Sequence, residues 1–315
     1  MRITVTADEA GTRLDKLLVK HLTAVGRAQV KRLFEEDRVH LVLANPRGER
    51  MQRARKGDVC AAGQVFELGV EEQSSEALAD EGAPLEVLLE TDQIVVVEKP
   101  AGQPSAPLQP GERGALANAL LGRYPEMKGV GFSLREPGLC HRLDTATSGL
   151  LVAARSTAAF EAITRGLKDH RLDKKYLLLC PAKDLPESGV IDIPLAPHPK
   201  DKKRMLACVH ERDQARNAPK PATTSYRVVR VHGEVALVEA TAPSARRHQI
   251  RAHFAAIGHP LYGDALYRGA PLEGLSRHAL HANRIAWPGD AVVPAFVVTS
   301  QLPEDLAKLV PSPDA

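Results

Sequence analysis

The chain has 315 residues, 43% hydrophobic and 26% charged, with a net charge of +3; this describes a globular protein with room for two domains and excludes a disordered or fibrous chain. No window approaches the roughly 18 consecutive apolar residues of a membrane span, and no apolar run follows the basic residue near the start, so no membrane partner or signal peptide is expected and a cytoplasmic location is. The charge is segregated: residues 69–98 hold nine of the 39 acids and none of the 42 Lys and Arg, leaving the rest strongly basic, as a nucleic-acid partner would require.

Taken in chain order, Thr12 can cap a helix over residues 13–22 whose Leu14, Leu17 and Leu18 share one face. A second helix over residues 27–37 buries Val30, Leu33 and Phe34 and gathers Arg27, Lys31 and Arg32 on one basic face. That face can lie on phosphates; the plainer reading is a solvated face with Glu35 and Glu36 as partners. Strands over residues 39–43 and 65–69 follow, separated by the polar stretch 47–58. The stretch E-E-Q-S-S-E-A-L-A-D-E-G-A-P, residues 71–84, reads as a flexible acidic linker, dividing the chain into 1–70 and 85–315.

Past the linker, L-E-V-L-L-E and I-V-V-V-E-K-P read as strands. Ser156 caps a helix reaching about residue 170 with Phe160, Ile163 and Leu167 inward, and K-K-Y-L-L-L-C returns as a strand. Residues 181–221 are proline-rich and broken, and read as functional loops. T-S-Y-R-V-V-R-V and V-A-L-V-E-A-T form a hairpin about His232 and Gly233. Runs of strands with interspersed helices indicate an α+β protein. The four cysteines, Cys60, Cys140, Cys180 and Cys208, are too widely and irregularly spaced for a disulfide framework or a zinc pair.

The most specific string is residues 141–149, H-R-L-D-T-A-T-S-G. Asp144 stands at a bend of hydroxyl and glycine residues, with His141 and Arg142 on the same loop and the stiff apolar run from Leu150 to hold the turn. An ordinary turn Asp bonds its own backbone; an acid fixed on a rigid element among cations is a candidate nucleophile or base. The string resembles the catalytic loop of the RluA-type pseudouridine synthases, H-R-L-D-x-x-T-S-G, seven residues that would recur by chance on the order of once in 10⁹ positions. The resemblance covers nearly all of residues 85–300. It implies the pseudouridine synthase fold, a mixed and mostly antiparallel sheet flanked by helices and loops, preceded by a small α/β domain. It also implies an isomerase that converts uridine to pseudouridine within RNA, without metal or organic cofactor, with Asp144 as the essential residue.

Other segments extend the likeness. K-P-A-G, residues 99–102, matches the first motif, and by composition is a Pro-Gly turn with a structural role. K-K-Y matches the motif of the active-site tyrosine, which makes Tyr176 the partner of the uracil, stacking on it. R-R-H-Q-I-R-A-H, residues 246–253, matches the third motif with Ala245 where glycine is usual. Arg251 then falls where a guanidinium pairs with the catalytic carboxylate, and Ile250 where an apolar residue packs beneath it. His141 and Arg142 are expected to touch substrate, Arg142 by filling the space left when the nucleotide is extruded. Residues 1–70 resemble the small RNA-binding module named after ribosomal protein S-four, through R-L-D-K-L-L, G-R-A-Q-V-K-R-L and K-G-D.

Six of the twelve histidines lie between His232 and His281, but their spacings match no zinc pattern, so no metal is expected. Phosphate-cradling glycine loops are absent from the sequence, so no nucleotide cofactor is expected. Family members with this N-terminal module mostly modify large-subunit ribosomal RNA, which is the expected target of a monomeric enzyme, with transfer RNA the alternative. A glycoside hydrolase would need a second carboxylate near Asp144, and no nearby motif supplies one. A non-catalytic RNA-binding factor would not need the set Asp144, Tyr176 and Arg251.

Overall fold

The structure is a computed structural model that describes residues 1–22, 27–45, 48–69, 76–243 and 246–311, with the helical backbone alone at 27–29. It divides into two compact units, 1–75 and 76–315.

The first unit contains β1 (Arg2–Thr4), α1 (Leu14–His21), α2 (Arg27–Glu35), β2 (Val39–Asn45), β3 (Gly48–Arg53) and β4 (Val65–Leu68). Its four strands pair antiparallel in the order β1-β4-β2-β3. The leucines at 14, 17 and 18, spaced one helical turn apart, are fully buried with Val30, Leu33, Val39, Phe66 and Leu68 in one core. Arg13, rather than Thr12, occupies the cap position of α1, and no side chain caps it. The strand β3 was not legible in the polar stretch because all six of its residues are exposed; it is held by its backbone ladder to β2.

In the second unit come β5 (Glu86–Glu90), β6 (Ile94–Lys99), α3 (Leu116–Arg123), β7 (Ser148–Ala154), α4 (Thr157–Lys168), β8 (Asp173–Pro181), β9 (Ser188–Asp192), β10 (Leu195–Pro197), β11 (Met205–Ala207), α5 (Glu211–Asn217), β12 (Thr223–His232), β13 (Val235–Thr241), α6 (Gln249–Ala256), β14 (Leu280–Trp287), β15 (Phe296–Thr299) and α7 (Glu304–Ala307). Nine strands form one sheet in the order β5-β6-β7-β14-β8-β13-β12-β9, with β15 on β14; only β7 and β14 run parallel. This is the α+β architecture read from the sequence, with the mixed, mostly antiparallel sheet that the resemblance implies. Ser156 Oγ accepts the Ala159 amide at the start of α4, as a cap should (3.2 Å).

The continuous apolar runs of β6 and β7 reflect burial on both faces. Ile94, Val96, Leu150 and Val152 pack with Phe160 and Ile163 of α4 on one side. Val95, Val97, Leu151 and Ala153 pack with Leu116 and Leu120 of α3 on the other, together with Leu143 and Tyr176. Two expectations change. Of the expected linker, residues 71–75 lie outside the described residues, while 76–84 belong to the second unit: Ala77 is buried, and Asn118 of α3 donates to Leu78 O and accepts Asp80 N–H at its carbonyl (2.7 and 3.0 Å). The stretch 181–221 is not all loop, since β9, β10, β11 and α5 fall in it. Elements of three to seven residues are too short to show a period.

Gly149 sets the start of β7. Its φ is +118°, and a Cβ there would sit 2.3 Å from Ala282 O, because β7 and β14 approach closely at this pair. Gly149→Ala should therefore lower the unfolding free energy by at least ~1–3 kcal/mol from backbone strain alone. Urea titrations of the two proteins test this, and coincident midpoints would mean the strand pair yields at no cost.

Candidate active site

Asp144 lies four residues before β7, on the irregular loop that enters it. The Thr147 amide donates to Asp144 O (3.0 Å), closing the turn anticipated from its hydroxyl and glycine residues. The loop is clamped from two segments distant in sequence. From one side, Lys99 Nζ donates to Pro100 O, Gln103 O and Thr145 O (2.9, 2.8 and 3.2 Å), the Gly102 amide donates to Thr145 O (2.8 Å), and Ser105 Oγ bonds both backbone groups of Leu143. Lys99 is wholly buried, and burial pulls its ammonium down to about 8. From the other side, Arg277 Nη1 donates to Ala146 O (3.2 Å), His278 Nε2 meets Thr147 Oγ1 (2.7 Å) and His281 Nδ1 meets Ser148 Oγ (3.0 Å). Burial pushes both imidazoles down to about 4, so they are neutral partners of these hydroxyls. Arg277 itself is fixed by Asp305 of α7 (2.7 and 3.1 Å).

Opposite the loop stands Arg251, on α6 and nearly buried. Its Nη1 donates to Asp144 Oδ2 (2.7 Å), while Nε and Nη2 fork onto Asp264 (2.6 and 2.8 Å). Burial works against the guanidinium charge, but the hydrogen bonds and charge of Asp264, then of Asp144, outweigh it and hold its pKa above the ordinary value. Asp264 is 1% exposed and Asp144 24%. One carboxylate is thus sealed as an anchor, and the other keeps an open side. The Tyr267 ring lies 5.3 Å from the Arg251 guanidinium, and its hydroxyl meets His248 Nδ1 (3.1 Å), whose Nε2 is 3.7 Å from Asp144 Oδ1.

Tyr176 lies on β8, half-buried between two apolar clusters, that of Leu143 and Ala282 and that of Ile250 and Phe254. Burial, helped by the Asp144 charge, raises its phenol pKa and keeps it neutral. The structure therefore joins Asp144 to Arg251 directly, and packs Tyr176 against two apolar clusters, one that includes Leu143 of the loop and one that includes Ile250 of α6. His141 is engaged within the protein. Its Nε2 accepts the Val152 amide (3.2 Å), and burial, with Lys174 adding, pushes the ring down to about 3, so it braces the loop on β7. Arg142 is exposed and paired with Glu136. In the first unit Arg32 is exposed, Lys31 pairs with Glu35 (3.0 Å), and the side chain of Arg27 lies outside the described residues.

Sequence reasoning missed Asp264, Lys99 as a loop clamp, and the Arg277–His278–His281 group. Among the described residues no group of three His, Cys, Asp or Glu could hold a metal, and no helix is long and apolar enough to cross a membrane.

The profile of the RNA pseudouridylate synthase family matches residues 93–256, which span both Asp144 and Arg251. The ribosomal large subunit pseudouridine synthase D of Nitrosomonas europaea is 32% identical, across 98% of this chain and 87% of that protein. Its namesake in Haemophilus influenzae is 30% identical, across 97% and 92%. The solved structure of human RNA pseudouridylate synthase domain containing 4 is similar in fold, with a TM-score of 0.54 at 22% identity, covering 70% of this chain and 90% of that one.

Proposed function

This chain belongs to the RNA pseudouridylate synthase family, and from that premise we propose that it isomerises uridines of large-subunit ribosomal RNA, with Asp144, Tyr176 and Arg251 as its catalytic residues. The observation that carries the assignment of residues is the Asp144–Arg251 pair, a carboxylate open on one side and held by a guanidinium that a second, buried carboxylate anchors. The choice of RNA rests on the names of the relatives matched over nearly their whole length.

A uridine inside folded RNA must be extruded before its glycosidic bond is reachable, at a cost of a few kcal/mol in stacking. Arg142, exposed on the catalytic loop, fills the space left behind. The uracil stacks on Tyr176, whose neutral phenol and apolar surroundings suit a base face. Asp144 then attacks C1′ or takes a sugar proton, the uracil is freed, turns, rebonds through C5, and loses the C5 proton. Reactant and product are isomers, so nothing is consumed. Release of tritium from C5-labelled uridine in a ribosomal RNA transcript tests the reaction. Pseudouridine mapping in cells lacking the protein tests the target, and sites lost from transfer RNA alone would overturn the ribosomal assignment.

Residues 1–75 are proposed as an RNA-binding domain of the ribosomal protein S-four type. With a core of its own, the unit can be deleted without emptying the other. Single-turnover chemistry at saturating RNA should then survive, while the log–log slope of affinity against salt flattens by roughly two to three, about 0.7–0.9 for each of Arg27, Lys31 and Arg32. Parallel salt titrations of the full and shortened chains would show that these residues do not touch phosphate.

A further inference from the structure

The turn between β10 and β11, residues 198–204, is basic and unusually well tied down. His198 Nδ1 accepts the Lys200 and Asp201 amides (3.3 and 3.0 Å), Asp201 Oδ1 accepts the Lys203 amide (2.9 Å), and Arg247 Nη2 donates to Lys202 O and Arg204 O (3.0 and 3.1 Å). Its inner end is rooted beside the catalytic pair. The Met205 amide donates to the Tyr267 hydroxyl (2.8 Å), and the Arg204 guanidinium lies 5.5 Å from the centre of the same ring that Arg251 approaches.

What distinguishes this cluster is that its cations form no ion pair, although Asp201 stands in the same turn and spends one carboxylate oxygen on the Lys203 amide. Arg142, the basic residue on the catalytic loop, is paired with Glu136, and Arg251 serves two carboxylates. Among the described residues, Lys200, Lys202, Lys203, Arg204, Arg246 and Arg247 have no ion pair, and the Nε groups of Arg204 and Arg246 are buried without an acceptor. A buried N–H left unpaired is costly, and six cations against the single carboxylate of Asp201 repel one another. Both features are relieved by an anion with several acceptor oxygens. A guanidinium stacked on an aromatic ring is oriented in advance for such a partner, because its planar fork matches phosphate oxygens.

We propose that Arg204, presented by the 198–204 turn on the Tyr267 ring, holds a backbone phosphate of the RNA strand at the nucleotide delivered to Asp144. The idea rests on the reading of the chain as an RNA isomerase and adds the anchor that fixes the strand beside the carboxylate. Lys202 and Lys203 extend the same positive surface along the strand.

The test uses the full chain with Arg204→Met and Arg204→Lys, on a large-subunit ribosomal RNA transcript labelled with tritium at C5 of uridine. The methionine variant should raise the half-saturating RNA concentration about 10–100-fold, the usual range for a lost charge-assisted hydrogen bond. Its log–log salt slope should flatten by about 0.7–0.9, one phosphate contact. Lysine should restore the slope but only part of the affinity, since it keeps the charge and loses the fork. Wild-type affinity and slope in Arg204→Met would overturn the proposal. So would equal losses in both variants at an unchanged slope, which would assign Arg204 to packing on Tyr267. Filter binding to the same transcript reads Arg204 even if no tritium is released, a result that would instead sink the substrate assignment.

Discussion

Asp144→Asn should abolish pseudouridine formation while leaving the fold and most of the RNA affinity in place. An amide neither attacks C1′ nor takes a sugar proton, so no residual route passes through this side chain. The fold should tolerate the change because Arg251 keeps its fork on Asp264, and no buried charge is left alone. The stability cost should stay within roughly 1–2 kcal/mol, the range of one lost hydrogen bond. Affinity should persist because it is spread over many basic contacts. Tritium release, denaturant titration and filter binding on one preparation read the three quantities. Turnover at even a tenth of the normal rate would remove Asp144 from the chemistry.

Arg251→Met should also end turnover, but through a different loss. The thioether keeps most of the stem volume and removes the cation that two carboxylates share. Asp264, almost wholly buried, is left without its forked partner, and orphaning a buried charge costs about 3–5 kcal/mol. Asp144 loses the only donor that fixes its open geometry among the described side chains at hydrogen-bond distance. The variant should therefore melt earlier as well as fail to react, whereas Asp144→Asn fails without melting. Arg251→Lys should share the defect in activity, because an ammonium cannot present three separate N–H groups in one plane to two carboxylates. Normal catalysis in the methionine variant would mean that the pair seen here does not position the acid.

The contrast between these substitutions marks where the sequence was legible. Asp144, Tyr176 and Arg251 sit in strings of specified residues, so each could be named before its neighbours were known. Asp264 could not, because its role depends on a guanidinium 13 residues earlier turning toward it in three dimensions. The same holds for the contacts of Thr147 with His278 and Ser148 with His281, which are separated by 131 and 133 positions. His141 is a related case: its place in the string gave no sign that its ring would accept the Val152 amide. Long apolar runs and the hairpin at His232 and Gly233 were readable, whereas β14 was not, since Asn283 and Arg284 interrupt its pattern.

That unreadable strand has a consequence for how the enzyme comes into being on the ribosome that makes it. β14 lies between β7 and β8 in the sheet, so the strand that follows Asp144 and the strand that carries Tyr176 have no shared edge until residues 280–287 arrive. The three residues proposed as catalytic, Asp144, Tyr176 and Arg251, are all synthesised before that point. The nascent chain therefore carries them while the β7 and β8 parts of the sheet are still unjoined. Joining them waits for β14, so a chain cut before residue 280 should carry all three residues and still fail to close the sheet between β7 and β8.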